Sequence, residues 1–381
     1  MGFLALKVNV MKIKRLYSVD IFRIVCAFII FVFHSHTPSV IYVDFGFFNN
    51  FVSNGHVFMT AFFMLSGFSL YYAWFENLCN KPTELTESFE GRFNSVVGFY
   101  IKRLAGIYPL YVFTALAYSI LFNELTIMQN MALLPLEIAL LQSFYPDSFL
   151  ISHFGGTWFI SCIFICYLIF PFVKTVIKNN SRCVNTVLLF LIWMFCSYQF
   201  VLMHFFDFAN NFTLLYTHPM LRFCEFLSGM IVADLFEKNK CKTISKWSWL
   251  MIPFMAIAFI LIVTVSLALK SLPMFFFTFI AFPVFGFSLY LCGRLETLHS
   301  IRICKRLVKV LSENTYAFYL AQFFTWKFVK KVNEGYLHLG NVSLFCFCFL
   351  WCSCVAGIMH YLVEMPCKKA VLYLAKRFQM I

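Results

Sequence analysis

Residues 17–34 read YSVDIFRIVCAFIIFVFH, an apolar stretch that nevertheless carries Asp20, Arg23 and His34. A bilayer-spanning helix needs about 20 mostly apolar residues, and an arginine near its centre costs about 3 kcal/mol on insertion scales, so charges in such a segment call for a reason. The whole chain matches this stretch: of 381 residues, 61% are hydrophobic and only 12% charged. That much apolar surface excludes an ordinary soluble protein. Transmembrane barrels alternate apolar and polar residues, whereas these runs are continuous. The fold class is therefore an all-α integral membrane protein.

About ten spans are expected, near 18–37, 56–75, 103–122, 157–174, 185–204, 219–236, 247–268, 273–293, 310–329 and 341–363. The stretch 131–145 is apolar but short and contains Pro135 and Glu137, so it reads as a re-entrant or interfacial piece. The positive-inside rule supports this count. Lys7, Lys12, Lys14 and Arg15 put the N-terminus in the cytoplasm, and later basic clusters fall in alternate loops. An eleventh span would move Lys174, Lys178 and Arg182 outside. Both termini are then cytoplasmic, and the net charge of +13 follows from this asymmetry, with no nucleic acid implied. The expected organisation is a tail at 1–17, a transmembrane domain at 18–364 and a basic cytoplasmic tail at 365–381, with no soluble domain and no cleavable leader; Met11 would also serve as a start. Four of the fifteen cysteines, Cys346, Cys348, Cys352 and Cys354, crowd the last span. Residues two apart on a helix share no face, so small apolar filler is favoured over a metal site.

Arg23 and His34 lie eleven positions apart, about three turns or roughly 16 Å, and face nearly the same way. Asp20, one turn before Arg23, can pair with it and lower the cost of burial. Two readings stay open: a snorkelling arginine with a packing histidine, or a functional pair. His36 sits on another face, beside Pro38, as a boundary residue. Ser66 and Gly67 allow a helix or a ligand to approach the backbone closely. Lys102 and Arg103 read either as a topology anchor or as a clamp for a phosphorylated group. Arg222 and Glu225 form a second charged pair inside an apolar segment, which favours a polar cavity.

Taken in order, these segments resemble the membrane-bound acyltransferase 3 family over nearly the whole chain. The resemblance rests on Asp20-x-x-Arg23-x10-His34, on the run from Phe62 through Ser66-Gly67 to Phe68, and on Lys102-Arg103 followed by Tyr108-Pro109. It continues through Trp158, Ser161, Tyr167 and Pro171, then Glu225 with Gly229, Tyr316 with Leu320, and Glu364-x-Pro366. The sequence departs from the family pattern at four places: Thr60 where an acidic residue is common, Gly106 where a second arginine is common, Ile163 for a glutamate, and Gln322 for a histidine.

The resemblance implies an O-acetyltransferase that uses acetyl-coenzyme A and no metal. It acts on a glycan or lipid-linked saccharide acceptor, in contact with membrane lipids, in the bacterial inner membrane. Lys102, Arg103 and Arg23 would receive the cofactor phosphates, and the pantetheine arm would run along the first helix. His34, supported by Arg23 and Asp20, would act as general base or carry the acetyl group itself, and Ser66 would orient the thioester or receive the acyl group. Trp158 and Tyr167 would stack on a sugar, with Arg222 and Glu225 lining the cavity. A transporter or flippase of a glycan or lipid precursor is the rival reading, since intramembrane charges suit it as well; the chain shows no internal repeat.

Overall fold

The computed structural model describes residues 15–37, 41–80, 89–122, 126–145, 155–205, 212–239, 274–298 and 304–378. For 79–80, 89–94, 200–205, 212–214, 274–278 and 296–298 it describes the backbone only. Among the described residues there is no strand. The main helices are α1 (Tyr17–Ser35), α2 (Phe58–Asn80), α3 (Phe89–Phe122), α4 (Ile127–Ile138), α5 (Trp158–Asn179) and α6 (Arg182–Phe205). They continue as α7 (Pro219–Asn239), α8 (Met274–Leu298), α9 (Lys305–Glu313), α10 (Thr315–Val332), α11 (Asn341–Met359) and α12 (Met365–Arg377).

Six helical stretches among the described residues are long and apolar enough to cross a membrane: Tyr17–Ser35, Gly46–Leu78, Ser95–Phe122, Trp158–Asn179, Arg182–Gln199 and Asn341–Arg377. The expected spans at 219–236, 273–293 (described from 274) and 310–329 (apart from Asn314) are also helical. α7 carries Arg222, Glu225, Asp234, Glu237 and Lys238, and α10 carries three lysines, which lowers their hydropathy. The expected span at 247–268 lies outside the described residues. Two boundaries differ from the expectation. The span expected from 310 is broken at Asn314, which separates the basic, amphipathic α9 from α10. The helix of the last expected span continues beyond 363, through a wider π turn at His360–Glu364 into α12, so the expected tail is helical to Arg377. The piece expected to be interfacial forms α4, whose 12 residues reach only about 18 Å.

Packing follows from side-chain size. α7 is buried nearly all round, with residues of every face enclosed. It lies against α2 along its length, because Gly67 and Gly229 remove the side chains that would hold the two backbones apart. α5, α6 and α8 surround α7, while α1 packs on α2, α8, α9 and α10. Polar staples tie one end of this bundle. Asp234 accepts hydrogen bonds from Tyr71 at 2.8 Å and Asn185 at 2.7 Å and pairs with Lys238, so α2, α6 and α7 meet on one buried carboxylate. α6 turns Val184, Val187, Leu191, Met194 and Tyr198 outward at helical spacing, a face suited to lipid rather than water. On α11, Cys348 and Cys352 face inward, while Cys346 and Cys354 are exposed.

Candidate functional site

The first turns of α1 place Asp20 beneath α9. Its Oδ1 accepts from Arg23 Nη1 at 2.9 Å and from the Ser312 hydroxyl at 2.7 Å, and Arg15 binds its other oxygen. Arg23 also donates to Ser312 and, through Nη2, to Ser69 of α2 at 3.0 Å. The arginine thus joins three helices, and its charge is compensated by a carboxylate and two hydroxyls. This geometry bears on the snorkelling reading of Arg23. It is held inward by named partners and lines a cavity, where a snorkelling side chain would turn toward headgroups.

That cavity has a volume of about 360 Å³ and is walled by α1, α2, α3, α5, α9, α10 and the α11–α12 junction. On α2 it follows one face through Met59, Phe62, Ser66, Ser69 and Ala73, about four turns. Arg23, Lys102, Arg103 and Lys368 supply four cations against two carboxylates, Glu313 and Glu364. Both carboxylates have partners: Glu313 accepts from Arg15, and Glu364 pairs with His360 at 2.8 Å. Arg103 differs. Its guanidinium lies over the rings of Phe99 and Tyr167, 5.5 and 5.8 Å from their centroids, and its buried Nε has no hydrogen-bond partner. An orphaned guanidinium N–H in a cation-lined cavity fits a phosphate oxygen. Gly106, one turn further along α3, lines the same cavity, and a Cβ there would meet nothing within 4 Å.

His34 is not among the lining residues. It is half-buried at the other end of α1, with Nδ1 2.9 Å from Oε1 of Gln322 on α10. Trp326 packs on the imidazole at 4.6 Å and Phe323 at 5.8 Å. A relay of rings joins this place to the cavity wall: Phe159 to Tyr319 at 5.5 Å, Tyr319 to Phe323 at 6.2 Å, and Phe323 to His34. Phe323 is fixed from behind by Gly156, where a Cβ would come within 2.2 Å of the ring. His36 bonds the backbone carbonyl of Val43 at 2.8 Å and closes the segment after α1.

Arg222, Glu225 and Trp158 were expected at a substrate surface. The structure places them in a closed cluster instead, outside the cavity lining. Arg222 is 3% exposed and Glu225 6%. Arg222 Nη1 reaches both carboxylate oxygens at 2.8 and 2.7 Å, and Nε donates to the Tyr216 carbonyl. The rings of Phe63, Trp158 and Tyr216 cover the guanidinium. Thr60 donates to Glu225 at 2.8 Å, so an acidic residue at position 60 would set two carboxylates face to face. Tyr167, read together with Trp158, goes the other way and lines the cavity beside Arg103.

The structure therefore gathers Arg23, Asp20, Ser66, Lys102, Arg103 and Tyr167 at or beside one cavity, holds His34 one ring layer away, and separates Trp158, Arg222 and Glu225. Sequence reasoning missed Ser312, Gln322, Glu364 and Lys368 as members of these surroundings. Gln322 stood out only as a departure from a pattern, and Lys368 only as a topology charge. In comparison with known families, residues 16–361 match the acyltransferase domain of the acyltransferase 3 family. No curated protein and no solved structure matches the chain.

Proposed function

The chain belongs to the acyltransferase 3 family, and on that premise we propose that it is a membrane O-acetyltransferase. It moves an acetyl group from acetyl-coenzyme A to a hydroxyl of a cell-surface or exported glycan, or of its lipid-linked precursor. The observation that carries this reading is the cavity with Arg23, Lys102 and Arg103 on its wall and an unpartnered N–H on Arg103. Acetyl-coenzyme A brings an activated thioester carbonyl and a set of phosphates.

The residues divide the work. Arg103 and Lys102 hold phosphate oxygens, and Arg23, kept in place by Asp20 and Ser312, adds a third cation further along. The face of α2 from Ser69 to Met59 guides an extended arm, with Ser66 offering its hydroxyl to the thioester on the way. His34 takes the proton of the acceptor hydroxyl as the new C–O bond forms and the C–S bond breaks, then returns it to the leaving thiolate. Imidazole suits this step because its ordinary pKa lies near neutral pH. For the two ends to meet, the Tyr319–Phe323 ring layer has to yield to the acyl group.

The ten-span topology with cytoplasmic termini belongs to the same proposal. It puts the basic mouth near Lys102 and Lys368 on the side where coenzyme A is found, and His34 toward the far leaflet of a bacterial plasma membrane. The reading is tested by mass spectrometry of surface glycans from cells with and without the gene. Loss of the mass of one acetyl group per modified sugar supports it, and an unchanged acetylation pattern refutes it.

A further inference from the structure

Among the described residues, Gln322 is the side chain that hydrogen-bonds the His34 imidazole, and a primary amide oxygen can only accept. A nitrogen facing that oxygen must carry the proton. A neutral imidazole has a single ring proton, so a proton held at Nδ1 leaves the lone pair on Nε2. We infer that Gln322 is a positioning residue for His34: it holds the ring in the Nδ1-protonated tautomer and so presents Nε2 as the base that receives the acceptor hydroxyl's proton. The inference deepens the proposed acetyl transfer and rests on His34 being its base.

The surroundings are built for this task. Gln322 is 1% exposed, so water hardly competes for its amide. α10 packs against α1, and the next turn of α10 places Trp326, itself 1% exposed, on the same imidazole. Phe323, backed by Gly156, closes a second side. Two rings limit tilting of the imidazole, and one amide fixes which nitrogen is protonated.

The charged and titratable groups of the packed elements are engaged elsewhere. Asp20 and Arg23 of α1 lie about three turns away. Lys327 of α10 points over the rings of Tyr118 and Phe122. His56 lies across Phe33 with its Nδ1 on the Ser53 carbonyl, and His36 is held by Val43. Tyr319 donates to the Gly156 carbonyl and Tyr216 to that of His56. Glutamine does not titrate, whereas a histidine at this position would add a second protonation step to the pair. Gln322 therefore adds no protonation step of its own to the acid limb of the rate profile.

The experiment uses the full chain in lipid nanodiscs, with acetyl-coenzyme A as donor and a surface-glycan extract of the host cells as acceptor, and follows release of the coenzyme A thiol. His34→Ala is read first. Activity in that variant removes the base and with it this inference. With His34→Ala inactive, Gln322→Leu lowers kcat by about tenfold to a hundredfold while the KM for acetyl-coenzyme A stays put, because only the proton transfer suffers. Gln322→Glu keeps an acceptor oxygen in place and adds a negative charge, so it retains activity and moves the acid limb of kcat/KM up by about one pH unit. That limb moves only if position 322 faces the imidazole whose protonation it reports. Native kcat in Gln322→Leu, or an unmoved limb in Gln322→Glu, overturns the assignment; if the leucine variant fails to fold, the near-isosteric glutamate variant decides.

Discussion

Gly67 of α2 and Gly229 of α7 each rest on the other helix's backbone: a methyl group on Gly67 would lie 1.9 Å from the Phe226 carbonyl oxygen, and one on Gly229 1.8 Å from that of Met64. Backbone cannot swing aside as a side chain can, so the two helices must separate to admit either methyl group. Gly67→Ala and Gly229→Ala are each expected to cost at least about 1–3 kcal/mol, as overpacked cores do. Gly357→Ala, where a Cβ meets nothing within 4 Å, serves as the control. Thermal melts in detergent should show both crossing variants lowered and the control unchanged or slightly raised.

The closed Arg222–Glu225 pair makes a prediction of unequal costs. Arg222→Leu alone strands a buried carboxylate and should destabilise the protein by about 3–5 kcal/mol, whereas Arg222→Leu combined with Glu225→Leu removes both charges and recovers most of that loss. Denaturation of the single and double variants measures this. The double variant should also keep the native KM for acetyl-coenzyme A, because the pair lies outside the cavity lining.

Membrane class and helical fold were legible in the sequence, because they rest on apolar length, and Arg23 stood out as a charge placed where charge is expensive; its grouping with Lys102 and Arg103 came from the family resemblance, and the place of Tyr167 beside them was not foreseen. The rest depends on partners distant in the chain. Gln322 lies 288 positions from His34, and nothing in either segment announces the other. The closed setting of Arg222 and Glu225 was not legible for a related reason. A charged pair in an apolar helix reads the same whether it lines a cavity or is sealed under Phe63, Trp158 and Tyr216. The break at Asn314 was hidden because α9 is amphipathic, and its apolar positions blended into the following run. The extension through α12 was hidden because the basic residues that mark a cytoplasmic tail also suit a helix lying at the membrane surface.

Arg103 supplies the sharpest test of the donor site. Its unpartnered Nε predicts that Arg103→Ala raises the KM for acetyl-coenzyme A by about tenfold or more, the loss of one charge-assisted contact, with kcat much less affected. Steady-state kinetics with varied donor checks this. Arg103→Lys should recover only part of the loss, since an ammonium lacks the planar fork and stacks less well between Phe99 and Tyr167.

Gly106 opens onto space within the same wall. A Cβ fits there without meeting a neighbour and the position lines the cavity, so Gly106→Arg should fold and add a cation to the proposed donor site. The expected result is a KM for acetyl-coenzyme A lowered by about threefold to tenfold, the worth of one partly exposed ionic contact. The effect should shrink as salt is raised.

The central claim is that His34 performs the chemistry for which the cavity holds the donor. It is tested most directly by mass spectrometry of surface glycans from cells expressing His34→Ala, with the amount of the variant in the membrane measured alongside. The account predicts that glycan acetylation disappears while the protein accumulates at the native level. Full acetylation in that variant would contradict it.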